Sequence, residues 1–274
     1  MRNLLKEKYQ TVKIQMSNQW VTLWLDRPEA KNSISEKMVS ELMILLNFIA
    51  GDTNIRGITL RGSGECFCAG ADLKEFKENY LERRKPYAEI IKMNKDIASL
   101  FKRAHTLPQV LVAFVEGPAF AGGVGLICCA DFVFATEDAV FCVSETKIGL
   151  TPAQIAPYIV DRIGKRDARK LILQGERLSA FDAKSVGLVD QIFESEKLLL
   201  THLQKFQKAF RTSAPKAVAI TKQIIAEIDK VEPSKQVNYL AKKFADCMVS
   251  DEAQEGISAF LEKRQPGWVS SNYD

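Results

Sequence analysis

The sequence contains little that points to a metal, a membrane or a nucleic acid. Of its six cysteines, Cys66 and Cys68 are two apart, Cys128 and Cys129 are adjacent, and Cys142 and Cys247 stand alone. None has the C-x2-C spacing of a zinc knuckle, and only His105 and His202 could add imidazole, so no metal site is expected. Reduced thiols among apolar neighbours behave instead as small hydrophobes. No window approaches about 18 uninterrupted apolar residues, which argues against a transmembrane helix. An excess of one charge is missing too: 38 Lys+Arg face 34 Asp+Glu, a net +4. Without a basic run interleaved with aromatics, no nucleic-acid partner is expected. Met1 to Lys8 meets charges too early for the apolar core of a signal peptide, so a cytoplasmic location is expected. Fixed-period repeats and low-complexity linkers are absent.

What remains is an ordinary globular composition, 46% hydrophobic and 26% charged over 274 residues. A chain of this length buries about three quarters of its unfolded surface and needs no disulfide staples. Val12 to Met16 and Val21 to Leu25 read as a hairpin around Ser17-Asn18. Ser33 with Glu36 has capping-box spacing, and Met38, Leu42, Leu45, Leu46 and Ile49 follow at helical intervals. Ile55 to Arg61, the apolar run Val110 to Val115, and Asp131 to Thr136 read as strands, with a helix over about 87–103. Strands separated by helices imply an α/β fold with right-handed crossovers. Beyond Pro152 helical periodicity takes over, with helices near 195–210, 214–230, 234–249 and 251–264. The spacing thus divides the chain into a 1–190 core and a 191–274 helical region.

Two small-residue loops carry the chemical signal. Cys66 to Glu75 follows the 55–61 strand, and Gly117 to Leu126 follows the 110–115 strand and opens a helix. Neither matches G-x-G-x-x-G or G-x-x-x-x-G-K-[ST], so dinucleotide and P-loop readings fail. Each could be no more than a tight strand-to-helix turn. Together, they can supply a pair of backbone N–H donors to one oxyanion.

At this point the residues resemble a family, the crotonase or enoyl-CoA hydratase/isomerase superfamily. Asp26 to Ser33 is similar to its early "RPEARNA" segment, and Phe67 to Glu75 to its "FxAGADLKE" segment. Glu116 to Gly123 resembles "NGPAxGGG", Ser144 to Pro152 resembles "PExxLGLxP", and Arg177 to Val189 matches a later segment ending in "GLV". The resemblance implies a crotonase-like spiral of ββα units whose helical C-terminal region serves oligomerisation, as a homotrimer or dimer of trimers. It implies an acyl-CoA substrate, with coenzyme A only as the thioester carrier and no other cofactor. The N–H groups of Ala71 and Gly122 would form the oxyanion hole. Ala30, Ala69, Asp72, Leu73 and Lys74 would line the CoA path. Phe260 and Lys263 would reach CoA in a neighbouring subunit.

Family hydratases with two catalytic glutamates place one in the "PE" segment, here Glu145, and one at the position of Gly125. Glu145 is then the only acid/base. The gap at Gly125 fits three readings: a substrate carboxylate filling it, as in the bacterial 3-methylglutaconyl-CoA hydratases of leucine degradation that the chain looks most like; a 3-enoyl-CoA isomerase; or a non-catalytic acyl-CoA-binding relative. His105, His202, Ser144 and Lys147 read as packing or surface residues; no G-x-S-x-G elbow accompanies Ser144.

Overall fold

The computed structural model describes residues 7–269. The first six residues, on which the signal-peptide reading rests, and residues 270–274 lie outside that range. The N-terminal hairpin pairs β1 (Val12–Ser17) antiparallel to β2 (Trp20–Leu25), with Val12 opposite Leu25. Its two-residue turn is Asn18-Gln19, both at positive φ, the geometry that matches strand twist. From β2 onward the pairing is parallel, through β3 (Gly57–Gly62), β4 (Val110–Val115), β6 (Phe132–Thr136) and β9 (Gln191–Phe193), in the order β1-β2-β3-β4-β6-β9. All six residues of β4 are buried, as a strand covered on both faces requires. A second sheet joins three short strands, β5 (Pro118–Phe120), β7 (Val140–Cys142) and β8 (Leu178–Ser179).

Helix α1 (Glu36–Gly51) buries Met38, Leu42, Leu45, Leu46 and Ile49, the stripe the spacing predicts. Its cap, however, is Ser35, whose hydroxyl accepts the Met38 N–H at 3.1 Å. Ser33, predicted to cap, instead donates its hydroxyl toward Asp72. Ser179 and Asp182 have the same spacing and form a capping box that opens α6 (Ala180–Ser185). Helices α2 (Leu73–Phe76), α3 (Tyr87–His105), α4 (Gly122–Cys128) and α5 (Ala156–Arg169) complete the core.

The sheet runs past residue 190, which corrects the predicted boundary. Strand β9 pairs with β6, and α7 (Glu196–Arg211) packs Leu199, Leu203, Phe206 and Phe210 against Trp20, Phe132 and Phe134. Three helices follow, α8 (Pro215–Glu227), which adds Val218 to the same cluster, α9 (Pro233–Met248) and α10 (Asp251–Leu261). Neither α8 nor α9 buries a residue, and Val237, Phe244 and Phe260 are 77%, 68% and 83% exposed. Lys222 ties α8 to the core through the Gln109 carbonyl and the Asp131 carboxylate. No described helix is long and apolar enough to cross a membrane. Cys66, Cys68, Cys128, Cys129 and Cys142 are buried free thiols.

Candidate active site

Both glycine-rich loops converge on one place because the backbone leaves no room for anything larger. Gly70 sits at φ +92°, and a Cβ there would lie 2.7 Å from Ala121 Cβ and 3.1 Å from the Phe120 carbonyl. At Gly123 a Cβ would meet the Cys68 carbonyl at 2.7 Å. The loops therefore touch main chain to main chain, and Cys68 bridges Ala119 in strand fashion.

The first loop is framed by the segment after β2. Ile34 donates its N–H to Gly70 O at 2.7 Å and accepts from Asp72 N–H at 3.0 Å. Strand-like alternation turns the intervening Ala71 N–H to the opposite side, where no described residue accepts it. The frame is itself clasped. Buried Asn32 accepts the Arg27 N–H and donates to the Ser63 and Cys66 carbonyls at 2.8 and 2.6 Å. Arg27 Nη1 donates to the Ser33 carbonyl and to Asp72, both at 2.9 Å. Burial pushes the Asp72 carboxyl up, but the Glu75 N–H, Arg27 and Ser33 pull it below the usual range. Its charge is thus taken up in capping α2 and pairing with Arg27. Motif matching included Arg27 and Asn32 without giving either a task; the signal was a polar Asn at the end of a Pro-containing turn.

The second donor, Gly122, begins α4, so its N–H has no partner within the helix, and no described residue accepts it. Ala121 precedes it at φ +50° and ψ −117°, a strained conformation for a residue with a side chain, and donates its N–H to Cys142 O at 2.7 Å. That bond fastens the loop to the end of β7. Three residues further on, a 3-10 turn, Glu145–Ile148, carries the carboxylate. Glu145 Oε2 is buried with no hydrogen-bond partner. Burial pushes its pKa above the ordinary carboxylate value, against a partial pull from the backbone N–H groups of Glu145 and Ser144. Such a carboxyl is poised to exchange a proton.

The other predicted residues divide. Ala30 and Ala69 are half-buried beside each other's segments, with the Ala69 N–H on Lys31 O at 2.9 Å, while Leu73 and Lys74 are exposed on α2. Phe260 and Lys263 lie at the end of the helical extension; α10 packs on α9 and caps α8 through Glu252. No hydrogen bond or ion pair joins α10 to the two loops among the described residues. Gly125 is the correction. A Cβ there would lie 2.2 Å from Ile155 Cγ2 and 3.0 Å from Phe101 Cε1, so Ile155 and Phe101 occupy the space predicted to receive a substrate carboxylate. His105 and His202 pack on aromatics, His105 on Tyr158 at 5.2 Å and His202 on Phe134 at 4.9 Å, and burial lowers the pKa of both.

A ββα spiral in which two glycine-rich loops pack main chain to main chain, with a desolvated carboxyl on the turn after β7, defines a crotonase-type fold. The chain belongs to the enoyl-CoA hydratase/isomerase family, whose model matches residues 15–271. It is similar to an enoyl-CoA hydratase/isomerase from Marinobacter aquaeolei, with a TM-score of 0.90 and 33% identity over 95% of this chain and 99% of that one. Among curated relatives, the enoyl-CoA isomerase/hydratase fer4 of Mycosarcoma maydis is 32% identical, covering 89% of this chain and 90% of its own length. The 2,3-dehydroadipyl-CoA hydratase of Escherichia coli is also 32% identical, over 89% and 92%.

Proposed function

We propose that this protein adds water to the double bond of a 2-enoyl-CoA, with Glu145 as the only acid/base. The observation that carries this reading is the buried, unpartnered Oε2 of Glu145 on the turn just after β7, the strand whose Cys142 carbonyl fastens the Gly122 loop. As water oxygen bonds to C3, Glu145 takes the water proton, and the double-bond electrons move through C2 onto the thioester oxygen. Ala71 and Gly122 N–H groups hold that enolate; one such donor is worth about 2.7–4 kcal/mol of transition-state stabilisation. Glu145 then returns its proton to C2 as the carbonyl reforms. Atoms and charge balance with no redox group and no metal.

The CoA chain would run past Ala30, Ala69, Asp72, Leu73 and Lys74. The apolar residues exposed on α9 and α10 support a trimer or dimer of trimers, in which Phe260 and Lys263 reach a neighbour's CoA. A second reading is favoured by one observation: Gly125 supplies no second carboxyl, and isomerisation of a 3-enoyl-CoA needs only a proton removed and returned by Glu145. Ultraviolet absorbance of the conjugated thioester separates the two. It falls when a 2-enoyl-CoA is hydrated and rises when a 3-enoyl-CoA is isomerised; no change with either substrate refutes both.

A further inference from the structure

A groove of about 580 Å3 runs from Ala71 between α1, α2 and α3. Ile34, Val39, Met43, Phe76, Met93 and Ile97 give it an apolar wall suited to a run of methylenes. Of the residues expected along the CoA path, Asp72 alone lines its mouth next to Ala71, while Ala30, Ala69, Leu73 and Lys74 do not line it. With the thioester oxygen at Ala71 and CoA on that path, the groove is the direction left for the acyl chain.

Its charges do not cancel. Asp72 is paired with Arg27 at 2.9 Å and Glu89 with Lys85 at 3.7 Å, while exposed Asp96 and Lys92, with no ion pair between them, together add no net charge. Glu36 and Glu75 are left over, and neither forms an ion pair among the described residues. Glu36 accepts the hydroxyl of buried Tyr80, and Glu75 accepts the Glu36 N–H at 3.0 Å. Burial and the neighbouring Glu36 and Asp72 charges push the Glu75 carboxyl above its ordinary value. Burial, Glu36 and Glu75 also raise the Tyr80 hydroxyl. A further anion brought into this groove meets two carboxylates and loses its water.

Resting on the acyl-CoA reading above, we infer that Glu36 and Glu75 are specificity-determining residues. They exclude acyl chains ending in a carboxylate and admit neutral chains or chains ending in a hydroxyl donor. Calorimetric binding of saturated thioesters tests this without any chemical step, using hexanoyl-CoA, adipoyl-CoA and 6-hydroxyhexanoyl-CoA. Adipoyl-CoA should bind about tenfold or more weakly than hexanoyl-CoA, a difference of about 1.4 kcal/mol. The hydroxy chain should match hexanoyl-CoA or bind more tightly. In Glu75→Gln the adipoyl penalty should shrink, and in Glu36→Gln/Glu75→Gln it should approach one. The readout is the ratio of two ligands on one protein, so a general loss of folding does not mimic it. Equal or tighter binding of adipoyl-CoA, or an unchanged ratio in both variants, overturns the inference alone. Failure to bind any of the three overturns the acyl-CoA reading and the inference with it.

Discussion

Gly125→Ala probes how the interior of the site is filled. Gly125 is buried within α4, and an added Cβ would lie 2.2 Å from Ile155 Cγ2 and 2.8 Å from Ile155 Cβ. Rotating the Ile155 side chain moves Cγ2 but leaves Cβ in place, so the backbone at residue 155 or in α4 has to shift. Overpacking of this kind costs about 1–3 kcal/mol. Replacing a mid-helix glycine by alanine returns about 1 kcal/mol through helix propensity. The two together leave a net loss of up to about 2 kcal/mol, read as a lower urea midpoint at unchanged slope. Ile155→Ala alone should cost about 2–5 kcal/mol, since it opens a cavity under α4. In the double variant the new methyl occupies part of that cavity, so the total should fall short of the sum by about 0.5–3 kcal/mol. A stabilised Gly125→Ala, or strict additivity with Ile155→Ala, would mean that the space above Gly125 is open after all.

Asn32→Ala strips partners from the half-buried Ser63 and buried Cys66 carbonyls and should cost about 1–3 kcal/mol. It should also lower kcat with acyl-CoA binding kept, because the Ala71 donor loses its frame; unchanged kcat would show that the clasp does not position it. Burial pushes the Glu41 carboxyl up, but bonds from the Thr11 hydroxyl and the Gln10 and Thr11 N–H groups hold it below its ordinary 4.5. A depressed folded pKa stabilises above the unfolded value, and that stability is lost as pH falls through the folded one. Glu41→Gln should therefore flatten the decline in thermal midpoint below about pH 4.5, and an unaltered decline would contradict it. Light scattering at micromolar concentration should give a trimer or hexamer; the 30.7 kDa mass of one chain would refute the oligomer.

Legibility in the sequence followed the range of the forces involved. The β1–β2 hairpin, the fully apolar β4 and the Ser179 capping box depend on neighbours a few residues away, and each stands where the pattern puts it. The α1 cap slipped by two residues because a contact 39 residues distant claims Ser33 for Asp72. The second sheet was hidden in what reads as loop, since its strands have two or three residues each and one begins at Pro118. The region boundary differs because α7 looks like its successors, although it buries Leu199 and Leu203 over Trp20 and Phe134 where α8 adds only the half-buried Val218. Motif resemblance singled out Ala71, Gly122 and Glu145. It could not show that Ile155 fills the gap at Gly125, 30 residues away, nor that Glu36 and Glu75 share one groove.

The central claim, that Glu145 carries the proton, is tested most directly by Glu145→Gln. The amide is nearly isosteric and still hydrogen-bonds water, yet cannot accept the proton. Turnover of a 2-enoyl-CoA should drop by about 10² or more, while calorimetry shows the same thioester bound as before. Undiminished turnover in that variant would contradict the account.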